Sequence, residues 1–131
     1  MIQFAYGDLE VPNPTNSALI QEAGLQDSSW YFRFDLASKE HPELLSVTFD
    51  EPNGFPRLPH TFLSNPTLFT GIAAEDSIAI AAQTQVAIYL QLGGIYAPNP
   101  NIFLTGPFAG QPLFQSPTTL PEQLNFIQIQ P

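Results

Sequence analysis

Proline limits the fold of the last third of this chain more than any other residue, because it recurs there too often for an α-helix. The sequence contains fourteen prolines among 131 residues. Each one fixes φ, removes a backbone N–H and disfavours helix at the residue before it. We therefore expect an extended or looping path from Ala97 to Pro121, with short strands at most. The prolines of this third are Pro98, Pro100, Pro107, Pro112, Pro117, Pro121 and Pro131.

The same segment carries large apolar residues that a typical flexible linker lacks. Leaving such a side chain exposed costs on the order of 1.5–3 kcal/mol relative to burying it. We therefore predict an ordered arm that lies against its own core or a neighbouring subunit and contributes an interface with a partner chain. The predicted interface residues are Ile102, Phe103, Leu104, Phe108, Leu113, Phe114, Phe126, Ile127 and Ile129.

A period-two alternation of apolar and polar residues indicates β-strands through much of the chain. Asn16–Ala23 is the one helix candidate, with Gly24 placed to end it. Asp50–Gly54 is a predicted turn. The predicted strands are Gln3–Tyr6, Leu9–Val11, Trp30–Leu36, Leu44–Phe49, Ser77–Ala82, Gln85–Leu92 and Asn125–Gln130.

Short strands separated by turns favour a mainly β protein, either an antiparallel β-sandwich or a partly open barrel. A chain of this length suffices for one domain and is too short for two ordinary ones. We expect residues 1–96 to form a β-rich core. Residues 97–131 would then be a Pro-rich, nearly uncharged, extended C-terminal arm of the same domain, closed by an edge strand.

Charge is scarce and unevenly distributed along the chain. Three basic residues stand against twelve acidic ones, and the formal net charge is −9. Because nucleic acids and anionic membranes require Lys or Arg to neutralise phosphate, we expect the protein to bind neither. After Asp76 the only charged residue is Glu122. A tract that is apolar yet almost without charge favours a surface held against protein; a neutral Gln- and Asn-covered surface with no partner is the alternative.

No residue pattern indicates catalysis, a metal or a cofactor. The chain has no cysteine, which excludes thiol catalysis, disulfides and Cys-based zinc sites. His41 and His60 lack metal-ligand spacing, and no Gly-x-Ser-x-Gly motif marks a nucleophile. The N-terminus lacks the basic and apolar regions of a signal peptide, and no segment is long enough to span a membrane, so we expect cytoplasmic synthesis.

These features favour a non-enzymatic structural or assembly protein that acts through protein–protein contacts, as a homo-oligomer or within a larger complex. A β-domain with ordered, Pro-rich, uncharged extensions resembles, in architecture and composition, the decoration, cement and tail-associated proteins of bacteriophage particles. That resemblance implies a virion component of the capsid or tail. No sequence motif carries it to a particular family.

Two other functions stay open at this point. One is a carbohydrate-binding β-sandwich module that uses Tyr31, Tyr89 or Tyr96 on an exposed face. The other is a small carboxylate-dependent hydrolase, which would require the acidic pairs Asp50–Glu51 and Glu75–Asp76 to meet across a cleft. The same pairs could bind calcium, but they lack the spacing of an EF-hand loop, and solvated turns are the simpler interpretation.

Overall fold

The computed structural model describes residues 1–6, 8, 13–42, 49–50, 55–56, 62–63 and 76–117. Within these ranges the helices are α1 (Asn13–Ala23), α2 (Phe34–Glu40) and α3 (Asp76–Gln91). The strands are β1 (Ile2–Ala5), β2 (Ser29–Phe32), β3 (Phe49–Asp50), β4 (Phe55–Pro56) and β5 (Phe114–Gln115).

The first three elements form a β-α-β unit. β1 and β2 are parallel neighbours, with Ala5 aligned with Phe32, and parallel strands require a crossover connection such as α1. α1 ends at Gly24, which takes the left-handed φ of 61°. The N–H of Leu25 then donates to the carbonyl of Ile20 at 3.0 Å, as in a Schellman motif. The predicted helix and its glycine stop are therefore confirmed, with three more residues at the N-terminal end.

β5 runs antiparallel to β2 on the side away from β1, so the sheet has the order β1-β2-β5 and is mixed. Successive side chains of a strand point to opposite faces of the sheet. One face carries Phe4, which packs with Ile20 of α1. The other carries Phe32 and Phe114, which pack in one cluster with Ala81 of α3. Thus α1 and α3 cover opposite faces, and β2 is the central strand.

The prediction of strands at Ser77–Ala82 and Gln85–Leu92 is wrong, because this stretch is the helix α3. Four alanines, the strongest helix formers, and the following Gly93 favour the helix, but the short alternation after Gln85 obscured them. The buried residues recur at helical spacing and form the stripe that faces the core. They are Ser77, Ile78, Ala79, Ala81, Ala82 and Gln85.

The mainly β prediction, an antiparallel β-sandwich or partly open barrel, is wrong as well. The described residues contain more helix than strand, and their strands are two to four residues long, too short to make the layers of a sandwich. The segment Trp30–Leu36 alternates in sequence as a strand would, but only its first part is a strand. The strand stops at Phe32, and Phe34 begins α2, where Phe34 and Ala37 are buried on one side of the helix.

The proline-rich arm follows a path without α-helix as far as it is described, to Pro117. It makes two short 3-10 turns, Pro100–Phe103 and Gly106–Phe108, and then strand β5. Phe108 and Leu113 are fully buried in the same cluster as Phe32. The described part of the arm therefore lies against the core of its own chain.

Other predicted elements fall largely outside the described residues: Leu9–Val11, most of Leu44–Phe49 and Asn125–Gln130. β3 and β4 pair as antiparallel strands on either side of the predicted turn Asp50–Gly54, of which residues 51–54 are not described. Among the helices in the described ranges, none combines the length and apolarity that crossing a bilayer requires.

Candidate protein-binding surface

Large apolar side chains are exposed mainly in one stretch of the described chain. Seven such side chains are exposed, and all except Leu19 lie in the segment from residue 80 to residue 102. A single exposed leucine is ordinary, but concentration in one segment of a folded chain is a mark of interaction surfaces. The six are Ile80, Leu90, Leu92, Ile95, Tyr96 and Ile102.

Four of these side chains lie close together in sequence where α3 ends, and we call them the apolar end of α3: Leu90, Leu92, Ile95 and Tyr96. Ile95 is 90% exposed and Leu90 is 68% exposed. Two glycines place them there by ending the helix: Gly93 has φ 66°, and the N–H of Gly94 donates to the Tyr89 carbonyl at 2.9 Å. The chain turns out of the helix without carrying these residues into the core.

A second apolar feature runs along the outer side of α3. Ile80, Gln83, Ala87 and Leu90 are all exposed. Gln83, Ala87 and Leu90 border a shallow depression of about 360 Å³, which Leu63 and Val86 complete. The Nε2 of Gln83 donates to the carbonyl of Leu63 at 2.8 Å across its rim. The depression is therefore apolar, with its one bordering amide already hydrogen-bonded.

Electrostatics set this region apart from the rest of the chain. Residues 77–117 include no Asp, Glu, Lys or Arg, although the whole chain carries a net charge of −9. Removing an ion from water costs several kcal/mol per group unless it is well paired. Burying the outer side of α3 and its apolar end avoids that cost, so both features suit contact with another protein.

The structure describes six of the nine predicted interface residues, and these six lie in three environments. Leu104, Phe108, Leu113 and Phe114 are buried in the core of their own chain, and Phe103 is half-buried against that core. Ile102, 70% exposed, is the one of the nine that the described structure leaves at the surface. The others, Phe126, Ile127 and Ile129, lie outside the described residues.

The exposed residues of α3 were not among the predicted interface residues. The sequence alternation predicts a strand over Gln85–Leu92 with Val86, Ile88, Leu90 and Leu92 on one face. The signal that could have found them was the absence of charge along α3 after its first residue, Asp76, because the outer side of a surface helix normally carries charged residues.

A polar cluster lies on the α1 side of the sheet, where β2 ends. The Arg33 guanidinium makes two hydrogen bonds to the Asp35 carboxylate, at 2.7 and 2.5 Å, and lies 5.2 Å from the centre of the Tyr6 ring. The Oε1 of Gln115 accepts from Arg33 Nη1 at 3.0 Å and from the Tyr31 hydroxyl at 2.9 Å. Because Asp35 neutralises the cation and Gln115 belongs to β5, the cluster fastens the arm to the central strand.

The ionisation of two groups in this cluster is shifted by their surroundings. Burial raises the pKa of the Tyr31 phenol, and this outweighs the opposing effect of the Arg33 charge. The hydrogen bond to Asp35 raises the pKa of the Arg33 guanidinium. Both groups therefore hold their protons more firmly in the folded chain than in the unfolded one.

A small cleft of about 160 Å³ lies beside β1, between Asn16 of α1 and the pair Phe62–Leu63. Gln3 and the buried Asp8 also line it. The Nε2 of Gln3 points elsewhere, since it donates to the Gln85 side chain and to the Ala82 carbonyl. The cleft holds too few placed polar contacts to define a ligand.

The residues of the other candidate sites lie largely outside the described structure. His41 lies edge-on to Phe108 at 4.7 Å between ring centres, and His60 is outside the described residues. The side chains of Asp50, Glu51, Glu75 and Asp76 are likewise not described. Within the described part of the chain, no three His, Cys, Asp or Glu side chains are grouped to hold a metal ion.

Comparison with known proteins adds no relative: no family model, no curated protein and no solved structure matches this chain.

Proposed function

We propose that this protein acts without catalysis, as an assembly protein that binds another protein through the outer side of α3 and the apolar end of α3. The observation that carries the proposal is the coincidence of two independent features. The segment with the exposed large apolar side chains is also the segment without charged residues. Each feature alone has ordinary explanations, but together they are typical of a surface that is buried against another protein.

The packing of the arm supports this location for the contact. Of the apolar residues of the described arm, Leu104, Phe108, Leu113 and Phe114 are already in the core of their own chain. Among the large apolar residues of the described part of the arm, Ile102 is the one that remains exposed to a partner. The large side chains on the outer side of α3, Ile80 and Leu90, are exposed in the single chain, and burying each of them would contribute about 1.5–3 kcal/mol.

The bacteriophage resemblance does not carry over to the proposed function. It rested on a β-domain with extensions, and the folded chain has a small mixed sheet between helices instead. A place in a capsid or tail therefore has no support. The carbohydrate-binding alternative depended on a β-sandwich in the same way, and Tyr31, one of its candidate residues, is hydrogen-bonded within the polar cluster.

The proposal is tested by the size of the complex that the full chain forms in extracts of its own cells. An epitope-tagged wild type is compared with Leu90→Glu and Ile95→Glu, which place a carboxylate on the apolar end of α3. Leu19→Glu is the matched control, because Leu19 is 56% exposed but belongs to α1. On size-exclusion chromatography we expect the wild type and the Leu19 variant to elute as a complex, and both α3 variants to elute at or near the single-chain position.

Two results would contradict the proposal. One is a wild type that elutes as a single chain of 14.4 kDa in fresh extract. The other is a complex that Leu90→Glu, Ile95→Glu and Leu19→Glu leave equally intact. Circular dichroism of the purified variants checks that each one is folded. We expect all three variants to fold, because the three substituted side chains are exposed.

A further inference from the structure

We propose that α3 pairs with the α3 of a second copy of this chain, in antiparallel orientation. This pairing rests on the proposed function and identifies its partner. The contact is a seam of four exposed residues: Ile80, Gln83, Ala87 and Leu90. They are three, four and three residues apart, the spacing at which one helix meets another along a narrow stripe.

The seam is complementary to itself when the two helices run in opposite directions. A two-fold axis level with residue 85 places Ile80 of one copy opposite Leu90 of the other, and Gln83 opposite Ala87. Large apolar side chains then meet at both ends, and the long glutamine lies beside the small alanine near the centre. A two-fold contact uses the same surface patch on both subunits, so one helix supplies both halves of this match.

Charge favours a second copy at this surface over any other contact between copies. Two chains that each carry a net charge of −9 repel one another. α3 carries Asp76 at its first residue and no other charge. The antiparallel arrangement keeps the two Asp76 residues at opposite ends of the helix pair. It also aligns the two helix dipoles in opposite directions, which is favourable. A parallel pair would bring both acidic ends together.

The polar member of the seam keeps one hydrogen bond to its own chain when it is buried. Gln83 already donates through Nε2 to the carbonyl of Leu63 at 2.8 Å, and a buried amide is costly chiefly when its hydrogen bonds are unmade. Its side chain is held towards Leu63, at the rim of the apolar depression that also borders Leu90. The depression gives the partner subunit a concave surface at the end of the seam where its Ile80 would lie.

Solution mass tests whether the purified chain pairs with itself. We expect light scattering to show a mass that rises with concentration from 14.4 kDa towards twice that value. Leu90→Glu should hold the mass at one chain over the same range, and Leu19→Glu should behave as the wild type. A wild type that stays a single chain at every concentration would overturn the pairing.

Cysteine cross-linking tests the orientation, and the chain suits it because it has no cysteine of its own. Ile80→Cys and Leu90→Cys proteins with different tags are mixed and oxidised. We expect the mixed disulfide between positions 80 and 90 to exceed both same-site disulfides, because like positions would be about 15 Å apart along the axis at a rise of about 1.5 Å per residue. Leu19→Cys mixed with Leu90→Cys gives the background.

The possible results separate this inference from the proposed function. An 80–90 disulfide no stronger than background, or same-site disulfides that dominate, would overturn the antiparallel pairing. If the complex in cell extracts still disappears in Leu90→Glu, the proposed function stands and the partner is a different protein. If the extract shows a single chain, the proposed function fails, and the pairing that rests on it is overturned as an assembly contact even where the purified protein forms the 80–90 disulfide.

Discussion

The side-chain amide of Asn101 forms hydrogen bonds with both backbone groups of Phe114. Its Nδ2 donates to the Phe114 carbonyl at 2.7 Å, and its Oδ1 accepts from the Phe114 N–H at 2.7 Å. On the side of β5 that faces β2, the hydrogen bond joins the residues next to the paired strands: the Arg33 N–H donates to the Leu113 carbonyl at 2.7 Å. Asn101 thus takes the place of a further strand beside β5 and closes an edge at which unpaired backbone groups invite aggregation.

Removing this amide should destabilise the fold and open the edge of β5. Asn101→Ala leaves two backbone groups beside the buried Phe114 without partners, at a cost of roughly 1–3 kcal/mol each. Asn99→Ala is the matched control, because the Asn99 side chain accepts one hydrogen bond, from the N–H of Asn101, in an exposed position. Urea unfolding should show a larger loss for Asn101→Ala than for Asn99→Ala; equal losses would refute the role of Asn101 at the edge.

A charged side chain in place of Gln85 should destabilise the fold. It is fully buried on α3, where its Oε1 accepts from Gln3 Nε2 at 2.5 Å and its Nε2 donates to the Pro98 carbonyl at 2.6 Å. Gln85→Glu removes the donor and buries a carboxylate, so the free energy of unfolding at neutral pH should fall by roughly 3–5 kcal/mol.

The control for Gln85 is Gln91→Glu, which adds the same charge at an exposed position of the same helix. Its cost should stay within about 1 kcal/mol, the range of a charge near a helix end. Acidification should restore part of the stability of Gln85→Glu, since protonation removes the buried charge. A Gln85→Glu protein as stable as Gln91→Glu would show that the contact with Gln3 and Pro98 is absent in solution.

How much of this architecture could be predicted depended on whether the deciding signal was local. The end of α1 was predictable because Gly24 marks it, and the predicted strand Gln3–Tyr6 overlaps β1 (Ile2–Ala5) in all but one residue at each end. α3 was not predictable, since Val86–Leu92 alternates as a strand would, and its alanines and Gly93 favour a helix only weakly until Ala81 packs in one core cluster with Phe32. The partner of Phe114 could not have been predicted, because Asn101 meets it through the tertiary path of the arm.

The same distinction holds for the candidate site. The near-absence of charge after Asp76, where Glu122 is the only charged residue, is visible in the sequence and favours a protein contact. Which apolar residues remain for that contact was not visible, because Phe108 and Ile102 look alike as sequence and differ completely in burial. To distinguish the buried residue from the exposed one requires knowing how the 3-10 turns direct each side chain.

The packing of the arm against its own chain leads to a third prediction. Phe108 is fully buried, so Phe108→Ala should cost roughly 3–5 kcal/mol through lost burial and the cavity left behind. It should also speed proteolysis within residues 97–117. Ile102→Ala, at an exposed position of the same arm, should stay within about 0.5 kcal/mol of the wild type. Equal stability of the two variants would mean that the arm does not pack as described.

Alkaline pH should weaken the fold through Tyr31. Its pKa is raised above 10.0 in the folded chain, chiefly by burial, so the folded state keeps this proton when the unfolded state begins to lose it. The stabilisation is complete below pH 10 and is lost as pH rises through the folded pKa. Urea midpoints measured upwards from neutral pH should therefore decline above pH 10, and less steeply in Tyr31→Phe; an equal slope in both proteins would exclude this contribution.

Site-specific photo-cross-linking inside the cells that make this protein tests whether the apolar end of α3 contacts another protein. A photo-reactive amino acid replaces Ile95, the most exposed residue of the apolar end of α3, and in a separate protein it replaces Leu19 of α1. We predict a discrete protein adduct from position 95 and none of comparable yield from position 19. No adduct at position 95, or the same adducts from both positions, would contradict a protein contact at the apolar end of α3.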